Sequence, residues 1–316
     1  MTVSRQAFAC KTSPMRPAAL VLSIAIVAGI LAASTTGALA HDPKAANSVD
    51  LTRLPLGDGH VSTTTPAQGW IYACGIGTGG GAFQDGPWIH SDGTFDLTAK
   101  AVVDGAVTWP GSVSITTSGS TRNIVSNGLP SPNEPTGIFP IQSTDDAYQY
   151  DRNPNTITAQ SVNLSLAADP QVAATPHCIQ GEVGIAKNGV PIFDGLDAGS
   201  RDAVAHEIQD SCSGHPQQSG VYHYHSLPSC LNYGHSKKKH SKLIGWALDG
   251  FPIFGPRGKN GSLLTDEDLD VCHGEFGKVK IGGKTVRTYH YHATYEYPYT
   301  LGCFAGTPVQ AGPGMP

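Results

Sequence analysis

One tetrad occurs twice in the chain, as Tyr222-His223-Tyr224-His225 and Tyr289-His290-Tyr291-His292. Side chains on an extended strand alternate between faces, so each copy sets two imidazoles on one side and two phenols on the other. Two imidazoles at i and i+2 are close enough to reach one ion, and imidazole nitrogen suits zinc, copper, iron and nickel. His223, His225, His290 and His292 are therefore the candidate metal ligands, gathered in one site between the two copies, with His215 and His273 as auxiliaries. Tyr222, Tyr224, Tyr289 and Tyr291 are expected to pack as core or to support the ligands from behind, and Asp249 is placed to orient a ligand imidazole. Copper or zinc is the expected ion. The same alternation also makes a good half-buried strand with no ion at all.

Two further classes of function stay open. Histidine titrates near neutrality, so Asp210, Asp249 or Asp270 paired with His223 or His290 would serve a metal-free hydrolase as base and orienter. Ser213 and Ser226 lie near histidines in the sequence, yet no G-x-S-x-G elbow marks either as a nucleophile. The third class is an extracytoplasmic binding or structural module, with Trp70, Trp88, Trp109, Tyr295 and Tyr297 as aromatic contacts for a glycan or protein partner. The sequence does not decide whether the chain is an enzyme.

The elements that position the tetrads are themselves repeated. Gly184-Ile185-Ala186 matches Gly245-Trp246-Ala247, and Asn188-Gly189-Val190-Pro191-Ile192-Phe193 matches Asp249-Gly250-Phe251-Pro252-Ile253-Phe254. Asp210-Ser211-Cys212 matches Asp270-Val271-Cys272, with His215 and His273 just downstream, then a tetrad, then Cys230 or Cys303. One order of features run through twice predicts a duplicated β unit, packed about a pseudo-twofold axis, over residues 177–306. Asn-Gly and Asp-Gly predict a hairpin in each copy. A short helix follows, around Ala203, Val204, Glu207 and Ile208 in the first copy and capped by Thr265 with Asp268 in the second.

Ahead of this region, residues 67–176 are rich in Gly, Pro, Ser, Thr and Asn and hold short β-branched runs. Val162-Asn163-Leu164-Ser165-Leu166 alternates cleanly as a strand. The Gly75–Gly81 stretch lacks the lysine and the helix of a phosphate-binding loop and is read as a loop beside Cys74. The fold class is thus mostly β with a few short helices. A β-rich N-terminal part precedes the duplicated unit, and disulfides staple the two.

At these residues the chain resembles the YHYH-domain family of exported proteins. The tetrads, "NGVPIF", "LDGFPIFGP", "DSCSGH", "LDVCHGE" and "YPYTLGCFAG" carry the resemblance across about residues 70–306. Membership implies a motif and an exported location, and it implies no particular reaction. Lys237-Lys238-Lys239, between the copies, is particular to this chain and reads as a surface loop.

Arg5, Lys11 and Arg16 precede an apolar run from Ala18 to Ala33, and Ala38-Leu39-Ala40 follows as a cleavage site. That order predicts a signal peptide over 1–40, a polar leader over 41–66, and a secreted or periplasmic chain free of the membrane after cleavage. A flexible tail is expected over 307–316. Residues 1–40 hold three bases and no acids, so the remainder carries 17 bases against 25 acids. That surplus of acid argues against nucleic acid as a partner. Cleavage also removes Cys10 and leaves six cysteines, an even set suited to an oxidising compartment. Repeat positions predict Cys212–Cys230 and Cys272–Cys303 within the copies, which leaves Cys74–Cys178 to join the first part to the second.

Overall fold

The computed structural model describes residues 49–310. The expected signal peptide, the start of the expected leader (41–48) and the end of the expected tail (311–316) lie outside the described residues. Strands β1 (Leu54–Pro55), β2 (Val61–Ser62), β3 (Ile71–Tyr72) and β4 (Thr94–Phe95) form two short ladders, β1 with β4 and β2 with β3. Leu54, Ile71 and Phe95 are buried in the common hydrophobic core. The stretch expected as a leader is therefore built into the fold at least from Leu54, because its few apolar residues find the core.

β5 (Val113–Ser118), β6 (Thr121–Ser126) and β7 (Val162–Ala167) form an antiparallel three-stranded sheet. Leu164 and Leu166 face the core while Asn163 and Ser165 are exposed, as the alternation requires of a one-sided strand. β8 (Val172–His177) then leads into the principal sheet.

That sheet has eight strands. In chain order they are β9 (Glu182–Ala186), β10 (Pro191–Phe193), β11 (Gly214–Pro216), β12 (Tyr222–Tyr224), β13 (Leu243–Ala247), β14 (Pro252–Phe254), β15 (Gly274–Ile281) and β16 (Lys284–His292). Across the sheet the order is β11-β12-β10-β9-β13-β14-β16-β15. From either edge inward the pairings are antiparallel, parallel, antiparallel. Each parallel pairing needs a crossover. The first carries helix α1 (Ala203–His206) and β11, and the second carries a 3-10 turn (Asp266–Asp268) and β15. Asp202 caps α1 by accepting from the amides of Val204 and Ala205, and Asp268 accepts from the Thr265 amide. β17 (Phe304–Gly306) finally returns to pair with β8.

The two halves of the sheet meet where β9 runs antiparallel to β13, with Gly184 opposite Ala247, Ile185 opposite Trp246 and Ala186 opposite Gly245. Both glycines of the repeated Gly-x-Ala are needed there. A Cβ on Gly184 would stand 2.6 Å from the Trp246 carbonyl oxygen, and one on Gly245 would stand 2.3 Å from that of Ile185. At the adjoining hairpins Gly189 and Gly250 take φ of 87° and 90°, the left-handed conformation that the Asn-Gly and Asp-Gly turns supply. Disulfides join Cys74 to Cys178, Cys212 to Cys230 and Cys272 to Cys303. No helix among the described residues is long and apolar enough to cross a membrane.

The seam yields a direct expectation. Gly245→Ala must push the central strands apart and is expected to cost about 1–3 kcal/mol of stability. Gly75→Ala, where a Cβ meets nothing within 4 Å, is expected to melt like the wild type. Parallel thermal and denaturant melts check both, and equal midpoints would contradict the seam's role.

Candidate metal centres

The phenols are fixed first. Tyr222 donates to both carboxylate oxygens of Asp210 (3.0 and 2.9 Å), and Tyr289 donates to Asp270 (2.9 Å). Tyr291 donates to Asp249 (2.5 Å) while its oxygen accepts from the Ala305 amide (2.7 Å). Tyr224 accepts from the side-chain amide of Asn188 (3.1 Å). All four rings are buried in the core. Asp249 therefore holds Tyr291 and orients no imidazole. Asp210 and Asp270 likewise serve Tyr222 and Tyr289, so the pairing of these acids with His223 or His290 does not form.

The opposite faces gather imidazoles into two clusters. In the first, His215 on β11 stands opposite His223 on β12, and His225 follows at the end of that strand. The three ring centroids lie 4.7–5.2 Å apart. His223 Nδ1 donates to the Val221 carbonyl (3.1 Å) and His225 Nδ1 to the Asp194 carbonyl (2.5 Å). A carbonyl oxygen can only accept, so these bonds place each ring's proton on Nδ1 and leave Nε2 as a bare lone pair. Those two Nε2 atoms face each other at 2.9 Å. Both nitrogens of His215 are buried without a hydrogen-bond partner. The same holds for Glu207 Oε2, which lies 3.5 Å from Nε2 of both His215 and His225.

Burial opposes the simplest remedy, a proton between the rings. Desolvation, with the neighbouring imidazoles adding to it, pushes His215 and His223 well below the usual imidazole range. Burial pushes His225 down to about 4 and the Glu207 carboxyl well above the usual carboxylate range. A cavity of about 900 Å³ opens onto this cluster, roofed by the Gly77–Gly81 loop and flanked by Phe83 and Arg152. Phe193 stacks on His223 with centroids 4.1 Å apart.

The second cluster comprises His240, Glu275, His290 and His292. Glu275 on β15 stands opposite His290 on β16, in the same register as His215 opposite His223. His240 Nε2 lies 3.2 Å from His290 Nε2. Glu275 Oε1 lies 3.5 Å from His290 Nε2 and 3.3 Å from His292 Nε2. Each Nδ1 again donates to a carbonyl, that of Ser241 (2.8 Å), Thr288 (3.3 Å) or Gly255 (2.7 Å). Burial pushes His292 down to about 4.

Two corrections follow. His223 and His225 do not share a site with His290 and His292, because β12 and β16 are separated by five strand spacings, about 24 Å. The single expected site is replaced by two clusters, one on each half of the sheet. His273 joins neither cluster. Its Nδ1 lies 3.2 Å from Asp266 Oδ1, and its Nε2 bonds the Thr294 hydroxyl (2.9 Å). By register His273 occupies the place of Ser213, both at positive φ (69° and 67°), while Glu275 occupies the place of His215. The residue that faces the tetrad lies five positions after the repeated Asp (Asp210 or Asp270), not at the first histidine after the cysteine. Counting by strand alternation would have found Glu275. His240 comes from the loop between the copies and Glu207 from the end of α1, and no local pattern marks either.

The first cluster offers three nitrogen donors and the second three nitrogens and a carboxylate oxygen, in each case with ligand atoms within 4.8 Å of one another, as a transition-metal site requires. Metal–nitrogen bonds of 2.0–2.1 Å in a tetrahedron put neighbouring donors about 3.3 Å apart, close to the separations found here. In the metal-free protein, His225 and His292 are expected to stay neutral, as Nδ1–H tautomers, down to about pH 4. Since both free imidazoles titrate near 6.5, the unfolded chain takes up protons first as pH falls. Each residue is then expected to withdraw about 3 kcal/mol of stability between pH 6.5 and 4. Long-range ¹H–¹⁵N spectra across a pH series check this, and a midpoint near 6.5 for either ring would contradict it.

Residues 163–266 match the family model described as YHYH protein. The matched stretch contains the whole first cluster and His240, and ends before Glu275 and the second tetrad. No curated protein and no solved structure matches the chain significantly. With the first tetrad and its strand partners inside the matched stretch, the chain is a YHYH domain-containing protein.

Proposed function

We propose that the protein is exported and binds a transition-metal ion, copper or zinc, through His215, His223 and His225. The observation that carries this reading is the 2.9 Å approach of two Nε2 lone pairs whose rings have both committed Nδ1–H to a backbone carbonyl. Two lone pairs at that separation repel unless a cation lies against both. Three imidazoles leave a position on a four-coordinate ion, open to water, to Glu207 or to a molecule held in the adjoining cavity.

Export is supported by the basic, apolar and small-residue order of residues 1–40 and by three disulfides, which persist in oxidising compartments. The matching order and sense of strands on either side of the β9–β13 seam support duplication of a single unit.

Elemental analysis of the purified protein and of His215→Ala tests the metal reading. The wild type is expected to retain a transition metal at fixed stoichiometry. The variant should lose the ion at this cluster and keep the wild-type circular dichroism. A wild type that binds no candidate ion, beside a variant that only melts earlier, would leave the cluster as packing and overturn the proposal.

A further inference from the structure

His240, Glu275, His290 and His292 differ from the first cluster in closure. The first offers three imidazoles beneath a cavity, whereas the second offers three imidazoles and a carboxylate from three separate segments. His290 and His292 are completely buried, His240 and Glu275 are half-buried, and none of the four residues lines that cavity. Four donors from the protein fill a tetrahedral ion, which is the arrangement of structural sites, whereas sites with three protein ligands keep a position free.

We infer that this second cluster is an independent, closed metal site whose ion fastens the loop between the two copies to the β15–β16 hairpin. The inference rests on the reading that such imidazole clusters hold metal. It goes beyond that reading in ligand set, in number of ions and in role. All four donor atoms are acceptors. Each imidazole directs Nδ1 at a carbonyl, so in the neutral rings Nε2 is a lone pair, with His240 Nε2 3.2 Å from His290 Nε2 and Glu275 Oε1 3.3 Å from His292 Nε2. A shared cation relieves all of these contacts together.

The fastening follows from where the ligands sit. Glu275, His290 and His292 belong to the hairpin, and His240 directly follows the exposed Lys237-Lys238-Lys239 run. His240 is otherwise held on this side of the sheet by its edge-on contact with Phe254, at 5.0 Å between centroids, and through its neighbour Ser241, which exchanges hydrogen bonds with the Arg257 backbone. Without the ion the lysine loop loses its tie through His240 and opens more readily to proteases. With it, the loop is drawn against β14 and β16. The five strand spacings between the clusters make two separate mononuclear sites and rule out a shared binuclear one.

The test compares the wild type with His240→Ala, Glu275→Gln and His223→Ala, each freed of metal and titrated with Co²⁺ or Zn²⁺. The wild type is expected to take two ions per chain, and each variant one. In the wild type a chelator should strip one ion promptly and the other slowly, with the slow phase absent from His240→Ala and kept in His223→Ala. Trypsin cleavage after Lys237–Lys239 should be several-fold faster in metal-free protein and in His240→Ala than in loaded wild type, while loaded His223→Ala stays protected.

One ion in the wild type that survives His240→Ala and Glu275→Gln would overturn this inference and leave the first site standing. One ion lost in those two variants but kept in His223→Ala would support the closed site and remove the open one. No ion in any form overturns both. Two ions in the wild type with cleavage indifferent to metal would overturn the fastening role.

Discussion

A buried phenol must find a hydrogen-bond partner, and in this protein that need settles the pose of both tetrads. Tyr222 and Tyr289 bind the aspartates that open the following turns, and those same carboxylates accept the amides of Cys212 and Gly214 or of Cys272 and Gly274. Tyr291 is held by Asp249 and in turn receives the Ala305 amide. Each strand is therefore locked in register from its core side. A slip of one residue would bury imidazoles among apolar neighbours and strand several donors and carboxylates. The histidine faces are what remains once the tyrosines are satisfied, and their geometry is inherited from that lock.

The sheet turns this one local device into two different sites. Both tetrads sit beside a parallel neighbour and an antiparallel hairpin partner. What differs is the crossover and its surroundings. The first half places His215 opposite the tetrad and brings up Glu207 under a glycine-rich roof. The second half places Glu275 there and receives His240 from outside the repeat. Equal backbones with unequal covers produce an open cluster and a closed one.

The tetrads and the N/D-G turns were legible because strand alternation and positive φ each leave a mark on residue choice. Leu164 and Leu166 against Asn163 and Ser165 are another such case. Gly-x-Ala, by contrast, showed in the sequence only as a repeat, and its close backbone approach only once β9 met β13. The division of four histidines between two clusters was not legible, since strand order in a sheet is set by long-range pairing that no local pattern encodes. His273 misled because it follows its cysteine directly, whereas the register of β15 assigns the facing position to Glu275. Glu207 and His240 arrive from a helix end and a loop, whose side-chain directions depend on the whole assembly.

The parallel pairings carry a consequence for how the molecule is made. Ile192 pairs with Tyr224 and Ile253 with Tyr291, partners far apart in the chain, so each ladder must close a long loop before its contacts repay the lost entropy. Glu207, His215 and His223 lie inside the first of these loops, as does Asp194, whose carbonyl holds His225 just beyond it. His215 meets His223 on the local β11–β12 hairpin, but the bond from His225 Nδ1 to the Asp194 carbonyl forms only after the slow, high-contact-order step has finished. The ion proposed for this cluster would then act as a ratchet on topology, delivering its full binding energy only to the closed chain.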